Sequence, residues 1–248
     1  MPIPRFHIPG PWPESRVPFP EKASHHAMRV LRMRNGDRAE IFDGRGGRAS
    51  GTLDFSSGKT LFNLERRLHD TAESPIRLTL LQAFVTQEKL DWIVEKAVEE
   101  GAAEIALFPA ARCVTRLAGE KLSKKLQKLT AVAVSACEQC GRSVLPEITA
   151  FESFGAMLSG VSSEAKVILA PSAESGIRLG SARSAAFAVG PEGGFTEEEI
   201  AEAEAAGWTA GLLGPRILRT ETAGLVALAC ANAVSGDYGM TGSKEGRL

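Results

Sequence analysis

The chain has 248 residues, 44% hydrophobic and 24% charged, with a formal net charge of −1, which is an ordinary composition for a soluble globular protein. No apolar run approaches the roughly 20 residues needed to span a membrane, and Met1-Pro2-Ile3-Pro4-Arg5 lacks the apolar stretch of a secretory signal, so a cytoplasmic location and no membrane partner are expected. The four cysteines (Cys113, Cys137, Cys140 and Cys230) are not expected to pair as disulfides, and Cys137-Glu138-Gln139-Cys140 lacks the second ligand pair that a structural zinc site needs, so no metal is expected.

The first 70 residues read as β-rich. Proline is dense through Pro20, which favours extended backbone. A short helix is expected over His25–Arg34, followed by a turn at Asn35-Gly36-Asp37. Strands are expected over Ala39–Phe42, Arg48–Phe55 and Thr60–Leu68, separated by the turn sequences Asp43-Gly44-Arg45-Gly46-Gly47 and Ser56-Ser57-Gly58. This pattern predicts a small barrel, with Asp70–Pro75 as the linker and a domain division at 1–72 and 73–248. Residues 1–72 carry 12 Lys+Arg against 8 Asp+Glu, whereas residues 73–248 carry 17 against 22. The basic part is the one suited to phosphates.

From Ile76 onward strands and helices alternate. Ile76–Phe84 reads as a strand. Leu90, Ile93, Val94, Ala97 and Val98 recur at helical spacing up to Gly101. Glu104–Phe108 is a strand, Lys121–Gln139 a long helix, and Lys166–Leu169 and Ala185–Val189 short apolar strands. Thr196-Glu197-Glu198-Glu199 is a capping box opening a helix to about Ala206. Gly211–Leu213 reads as a last strand and Thr222–Val234 as a last helix. The alternation predicts an α/β domain with a mainly parallel sheet.

Several motifs fail on context. Gly44-Arg45-Gly46-Gly47-Arg48-Ala49 fits a dinucleotide fingerprint in letters, but strands flank it on both sides where the motif needs a helix after it. Gly58-Lys59-Thr60 resembles the end of a P-loop, yet Leu53 stands where the first glycine belongs. Two loops remain. Gly190-Pro191-Glu192-Gly193-Gly194 follows a strand and precedes a capped helix, and its glycines let a ligand approach bare peptide groups. Leu213-Gly214-Pro215-Arg216-Ile217-Leu218-Arg219-Thr220-Glu221-Thr222-Ala223 sets two arginines at a helix start, where they oppose the helix dipole but suit an anionic partner. An ordinary βα turn for the first loop, and a solvated face with a Glu221 salt bridge for the second, are the alternatives.

Together these two loops resemble the signature of the RsmE family of 16S rRNA uridine N3-methyltransferases. The resemblance covers the whole chain. His26-Ala27-Met28-Arg29-Val30-Leu31-Arg32, Asn35-Gly36-Asp37 and Phe42-Asp43-Gly44 resemble its N-terminal PUA-like barrel. Glu95-Lys96-Ala97-Val98-Glu99-Glu100-Gly101 and Ala136-Cys137-Glu138-Gln139-Cys140-Gly141-Arg142 resemble its middle segments. Glu100 departs from the pattern, standing where a leucine often precedes the glycine. The resemblance implies a C-terminal SPOUT domain with a deep trefoil knot, a class of topology otherwise nearly absent from proteins. It implies S-adenosylmethionine as cofactor, bound by Leu169, Ala170 and Pro171, by Gly190, Glu192, Gly193 and Gly194, and by Leu213, Gly214, Ile217, Leu218, Arg219, Thr222 and Ala223. It also implies a homodimer with the final helix in the interface. The small residues Ala223, Gly224, Ala227, Ala229 and Ala231 agree with that, and equally with packing inside the domain.

The reaction so implied needs uridine N3 deprotonated and aligned with the methyl group. A guanidinium stabilises the charge left on O2 and O4, and Arg219 or Arg216 is expected to supply it. Glu192 and Glu221 are the candidate general bases, or orient an arginine or a cofactor amine. Contacts to 16S rRNA or the small ribosomal subunit are assigned to the N-terminal part, with Arg5, Arg29, Arg32, Arg34 and Arg45 as phosphate-positioning residues. Trp12, Phe6 and Phe42 are the nearby aromatics for stacking. A ribose 2′-O-methyltransferase of the same fold, a non-enzymatic RNA-binding protein and a small-molecule enzyme acting on an anion are the competing readings.

Overall fold

The computed structural model describes residues 3–56, 58–69, 72–115 and 117–239. Ser57 of one expected turn and Asp70 and Thr71 of the expected linker lie outside the described residues. The chain forms two compact units, Met1–Glu73 with Val134–Leu145, and Ser74–Ala133 with Pro146–Leu248. A division at a single point near residue 72 does not foresee that residues 134–145 pack with the N-terminal part.

The first unit holds β1 (Arg5–His7), β2 (Arg16–Pro18), α1 (Glu21–His25), a π-helical turn (His26–Val30), β3 (Arg38–Phe42), β4 (Arg48–Asp54) and β5 (Leu61–Leu68). Burial alternates along β4 residue by residue, as period-2 side chains require. The sheet runs β1-β3-β4-β5-β2, with β1 parallel to β3 and the other pairs antiparallel. The proline-rich N-terminus thus supplies the two edge strands, the place where a residue without an N–H is tolerated.

Phe6, Ile8, Val17, Phe19, Ile41, Leu53 and Phe62 share one core. Phe6 of β1 and Phe19 just after β2 meet edge to face with ring centroids 5.2 Å apart. The sheet therefore curls until its edges share side-chain contacts, but no ladder joins β1 to β2 among the described residues. The expected barrel is, in hydrogen bonds, an open curled sheet. The helix expected at His25–Arg34 begins earlier, after Pro20, and gives way at Arg32, whose φ is +55°.

The second unit holds β6 (Arg77–Ala83), α2 (Gln87–Glu99), β7 (Glu104–Phe108), most of α3 (Gly119–Cys140), β8 (Glu147–Ala150), α4 (Phe154–Gly160), β9 (Ala165–Leu169), β10 (Ser184–Val189), α5 (Glu197–Ala205), β11 (Thr209–Gly211) and α6 (Thr220–Ser235). Its sheet runs β11-β9-β10-β6-β7-β8 and every pair is parallel. β6 and β10 are central and buried along almost their whole length, which is why they read as mainly apolar runs, with Thr79 and Gln82 of β6 the buried polar exceptions.

The chain order explains the site. From β6 the strands step outward through β7 to β8; the chain then crosses to β9, returns through β10 between β9 and β6, and ends with β11 outside β9. Because all strands are parallel, the loops after β9, β10 and β11 leave the same sheet edge side by side. The last strand sits two residues earlier than expected. Leu212 instead forms an isolated bridge with Gly176, and its N–H donates to Ser175 O at 3.0 Å. On α6, a Cβ at Gly224 would meet Leu80 Cδ1 at 2.9 Å. Gly224, Ala227 and Ala231 are buried, so this part of the small-residue face packs within the unit.

Candidate functional site

A cavity of about 670 Å³ opens at the carboxyl ends of β9, β10 and β11. Leu169, Ala170 and Pro171 form one wall, residues 189–194 a second, and residues 211–221 with Ala223 a third. The structure therefore brings together every expected cofactor residue except Thr222. The helix begins at Thr220 rather than Thr222, so Thr222 falls in its first turn with its N–H bonded to Arg219 O at 2.9 Å, and it is not part of the wall.

The glycine loop is tightly held. A Cβ on Gly190 would lie 3.1 Å from the Gly194 carbonyl carbon, so a side chain there would press on the loop's own backbone, which would have to give by a few tenths of an ångström. Thr220 Oγ1 donates to Gly190 O at 2.6 Å and accepts from Gln82 Nε2 at 3.0 Å. From the other side, Arg112 Nη1 donates to Gly193 O at 2.8 Å and Phe195 O at 3.1 Å. The predicted capping box forms, with Glu199 bonding the Thr196 N–H and Thr196 Oγ1 the Glu199 N–H. Glu199 also accepts from Ala111 N at 2.7 Å, which fastens the start of α5 to the segment after β7.

Four charged residues meet at the cavity. Lys89 Nζ lies 2.9 Å from Glu192 Oε1 and 3.4 Å from Glu221 Oε2, and Arg219 Nη1 lies 4.0 Å from Glu221 Oε1. The hydrogen bond to Glu192 raises the Lys89 pKa against partial desolvation. For Glu192 burial pushes the pKa upward, but the hydrogen bond from Lys89, a backbone N–H and the Lys89 charge together hold it below the ordinary value. Glu221 Oε2 is buried, and its contact with the Lys89 ammonium is an ion pair rather than a well-aligned hydrogen bond. The Arg219 side chain is 85% exposed, and Arg216 and Ile217 are exposed beside it. Sequence reasoning missed Lys89, Gln82 and Arg112, which lie outside the two loop motifs and reach the site only through the fold.

In the first unit, Arg29, Arg32, Arg34 and Arg45 are exposed. Arg5 is a correction. Its guanidinium donates to Cys137 O at 2.8 Å, Arg142 O at 3.1 Å and Ser143 Oγ at 3.1 Å, and pairs with Glu40 at 3.5 Å. Burial, then the neighbouring Arg48, lowers its pKa. Its side chain is 10% exposed and engaged inside the unit, unlike the exposed arginines. Phe6 and Phe42 are likewise buried, which leaves Trp12 as the partly exposed aromatic of the three expected. Cys137 is buried, its thiol pushed up to about 12 mainly by desolvation, and among the described residues no group of metal-ligating side chains forms.

Residues 72–232 match the family model of the RNA methyltransferase domain, and residues 19–62 match that of the RNA methyltransferase PUA domain. Fold and site thus define an RNA methyltransferase carrying a PUA domain. The ribosomal RNA small subunit methyltransferase E of Bacillus subtilis is 35% identical over 82% of this chain and 84% of its own length. That of Mycobacterium tuberculosis is 31% identical over 88% and 86%. The crystal structure of the Neisseria gonorrhoeae enzyme of that name, bound to S-adenosyl methionine, superposes with a TM-score of 0.88 at 33% identity, covering 96% of this chain and all of the other. The chain belongs to the ribosomal RNA small subunit methyltransferase E family.

Proposed function

We propose that the chain transfers a methyl group from S-adenosylmethionine to N3 of a specific uridine in 16S rRNA of the small ribosomal subunit, in the cytoplasm and as a homodimer. The observation that carries this reading is the cavity built by residues 190–194 and 211–221 at three adjacent parallel strand ends, in a chain of this family. The order β11-β9-β10-β6-β7-β8 supports reading residues 73–248 as a SPOUT domain with a deep trefoil knot. The exposed arginines support an RNA-binding role for the PUA-like domain, residues 1–72.

The wall fits the cofactor. Leu169, Ala170, Val189, Leu213 and Leu218 offer apolar surface to a purine ring, and the glycines offer bare peptide groups. The Glu221 carboxylate, at the cavity wall, offers an acceptor to an ammonium group. Bound there, S-adenosylmethionine supplies an electrophilic methyl group on a sulfonium.

The chain's own residues do the rest. Arg219 and Arg216, exposed beside the cavity, are placed to stabilise negative charge on the uracil oxygens once N3 has lost its proton. Lys89 holds Glu192 ionised, which makes it a poor proton acceptor. Glu221, whose side chain is 17% exposed against 45% for Glu192, is the carboxylate we assign as base. Glu221→Gln is expected to reduce turnover by about 10²-fold or more, and Glu192→Gln by less; full activity in both rules out a glutamate base.

The reaction is tested by incubating purified protein with labelled S-adenosylmethionine and small ribosomal subunits lacking the modification, followed by nucleoside mass spectrometry. Labelled 3-methyluridine is the expected product. A labelled 2′-O-methyl nucleoside, or no label at all, would overturn the assignment.

A further inference from the structure

We propose that Lys89 is a positioning residue of this site: its ammonium bridges Glu192 and Glu221 and so sets the two cofactor loops against each other. The inference rests on the reading above, in which the cavity takes S-adenosylmethionine.

Three separate elements meet at this ammonium. Lys89 stands in the first turns of α2, Glu192 in the loop between β10 and α5, and Glu221 in the first turn of α6. One Nζ lies within 2.9 Å of the first carboxylate and 3.4 Å of the second. The two loops have one further tie, the buried Thr220 hydroxyl on Gly190 O. That bond fixes the base of the glycine loop and leaves Glu192, two residues on, to be held by Lys89.

The Lys89 side chain is 30% exposed and that of Glu192 45%. Ion pairs this open add little to folding stability, so what Lys89 does is local. Without it the two carboxylates that share one Nζ stand on one cavity with no cation between them; Arg219 is 4.0 Å from Glu221 on a side chain that is mostly in water. Like charges brought together on one wall push apart, and the segments that carry them are the cofactor walls.

The sign of the effect separates positioning from simple charge. The cofactor carries a sulfonium, an ammonium and a carboxylate, a net positive charge. Removing Lys89 makes the wall more negative, which on Coulomb grounds alone tightens binding of a cation. Loss of loop arrangement weakens it.

The test uses Lys89→Met, Lys89→Gln and Lys89→Arg in the full chain. Titration calorimetry gives the Kd for S-adenosylmethionine, and amide hydrogen exchange reads the loops in the ligand-free protein. In Lys89→Met and Lys89→Gln the Kd is expected to rise about tenfold, with Lys89→Arg recovering most of the loss. Exchange is expected to quicken at residues 190–194 and 212–219 together, with β6 and β10 unchanged. Unaltered or tighter binding in Lys89→Met and Lys89→Gln, or faster exchange confined to α2, overturns the proposal while leaving the function intact. A wild-type protein that does not bind S-adenosylmethionine overturns both.

Discussion

The hydroxyl of Thr220 accepts from Gln82 Nε2 and donates to Gly190 O, and the three groups are closed to solvent, Gln82 at 0% and Thr220 at 7% exposure. Thr220→Val keeps the shape and removes the partner of both an amide and a carbonyl. Each buried group left unpaired costs about 1–3 kcal/mol. Thermal denaturation should show a lower midpoint, and cofactor binding should weaken with it, because the freed carbonyl belongs to the glycine loop; an unchanged midpoint would mean other contacts hold Gly190. A second residue can be read directly. Tyr238 is the only tyrosine in the sequence, and its hydroxyl donates to Glu100 Oε2 at 2.9 Å. Burial first, then that bond and the Glu100 charge, push the phenol up to about 12. The folded state therefore holds the proton more tightly than the unfolded chain. The stability this contributes is complete below an unfolded phenol pKa of about 10 and is lost as pH climbs from there to about 12. Phenolate absorbance in the folded protein should rise with a midpoint near 12; an ordinary midpoint would mean that Tyr238, 45% exposed, does not keep its bond to Glu100 in solution. The contrast between legible and hidden site residues also belongs to this scale. Clustered glycines that bare the backbone, and arginines that oppose the dipole of the helix they start, stand out in the sequence itself. Lys89 and Gln82 do not, since a lysine on an amphipathic helix and a glutamine ending an apolar strand have ordinary readings until the fold brings them to Glu192 and Thr220.

Helix α3 shows how an element can be legible while its role is not. Its periodicity predicts a long helix, and the helix forms, yet its end from Val134 onward belongs to the first unit. The reason is a set of polar contacts without sequence periodicity. Glu73 Oε2 accepts from Arg142 Nε and Nη2, both at 2.8 Å, and Glu73 Oε1 accepts from the Ser143 and Val144 N–H groups at 3.0 Å. His7 N donates to Glu138 Oε1 at 3.0 Å, and Val144 bridges to Gly44. The Cys137–Arg142 run is thus a packing motif on the N-terminal sheet, with Cys137 buried in it. Glu73→Ala removes the carboxylate that accepts from the Arg142 guanidinium, 4% exposed, and from two backbone N–H groups, at a cost of about 1–3 kcal/mol. Urea denaturation of the full chain should show it as a clearly lower midpoint, and a shift below about 1 kcal/mol would show that solvent reaches the guanidinium. The elements that escaped prediction share one property, shortness. β1 and β2 have three residues each amid prolines, β8 has four with none fully buried, and α4 has seven. None is long enough to display a period, whereas β6, β7, β10 and α2 were readable because burial fixes their pattern.

At the scale of the whole molecule the near-zero net charge conceals a division, with a basic excess in the first 72 residues and an acidic one in the rest. Binding to a polyanion depends on which of those basic groups are free to release counterions, not on their number. Arg29, Arg32 and Arg34 follow one another closely along the chain, and all are exposed. Arg5 is spent on three acceptors inside its unit and on Glu40. The two classes should separate cleanly in a salt titration of binding to the 16S rRNA target. Arg29→Ala, Arg32→Ala and Arg34→Ala should each weaken binding and lower the slope of log affinity against log salt by about 1, the change expected on losing one phosphate contact. Arg5→Ala should leave the slope unchanged and lower thermal stability instead, because it removes the bonds its guanidinium gives to the Cys137 and Arg142 carbonyls and to Ser143 Oγ. A slope change for Arg5→Ala equal to that for Arg32→Ala would mean that Arg5 reaches phosphate after all, and that its bonds to the end of α3 give way when RNA binds.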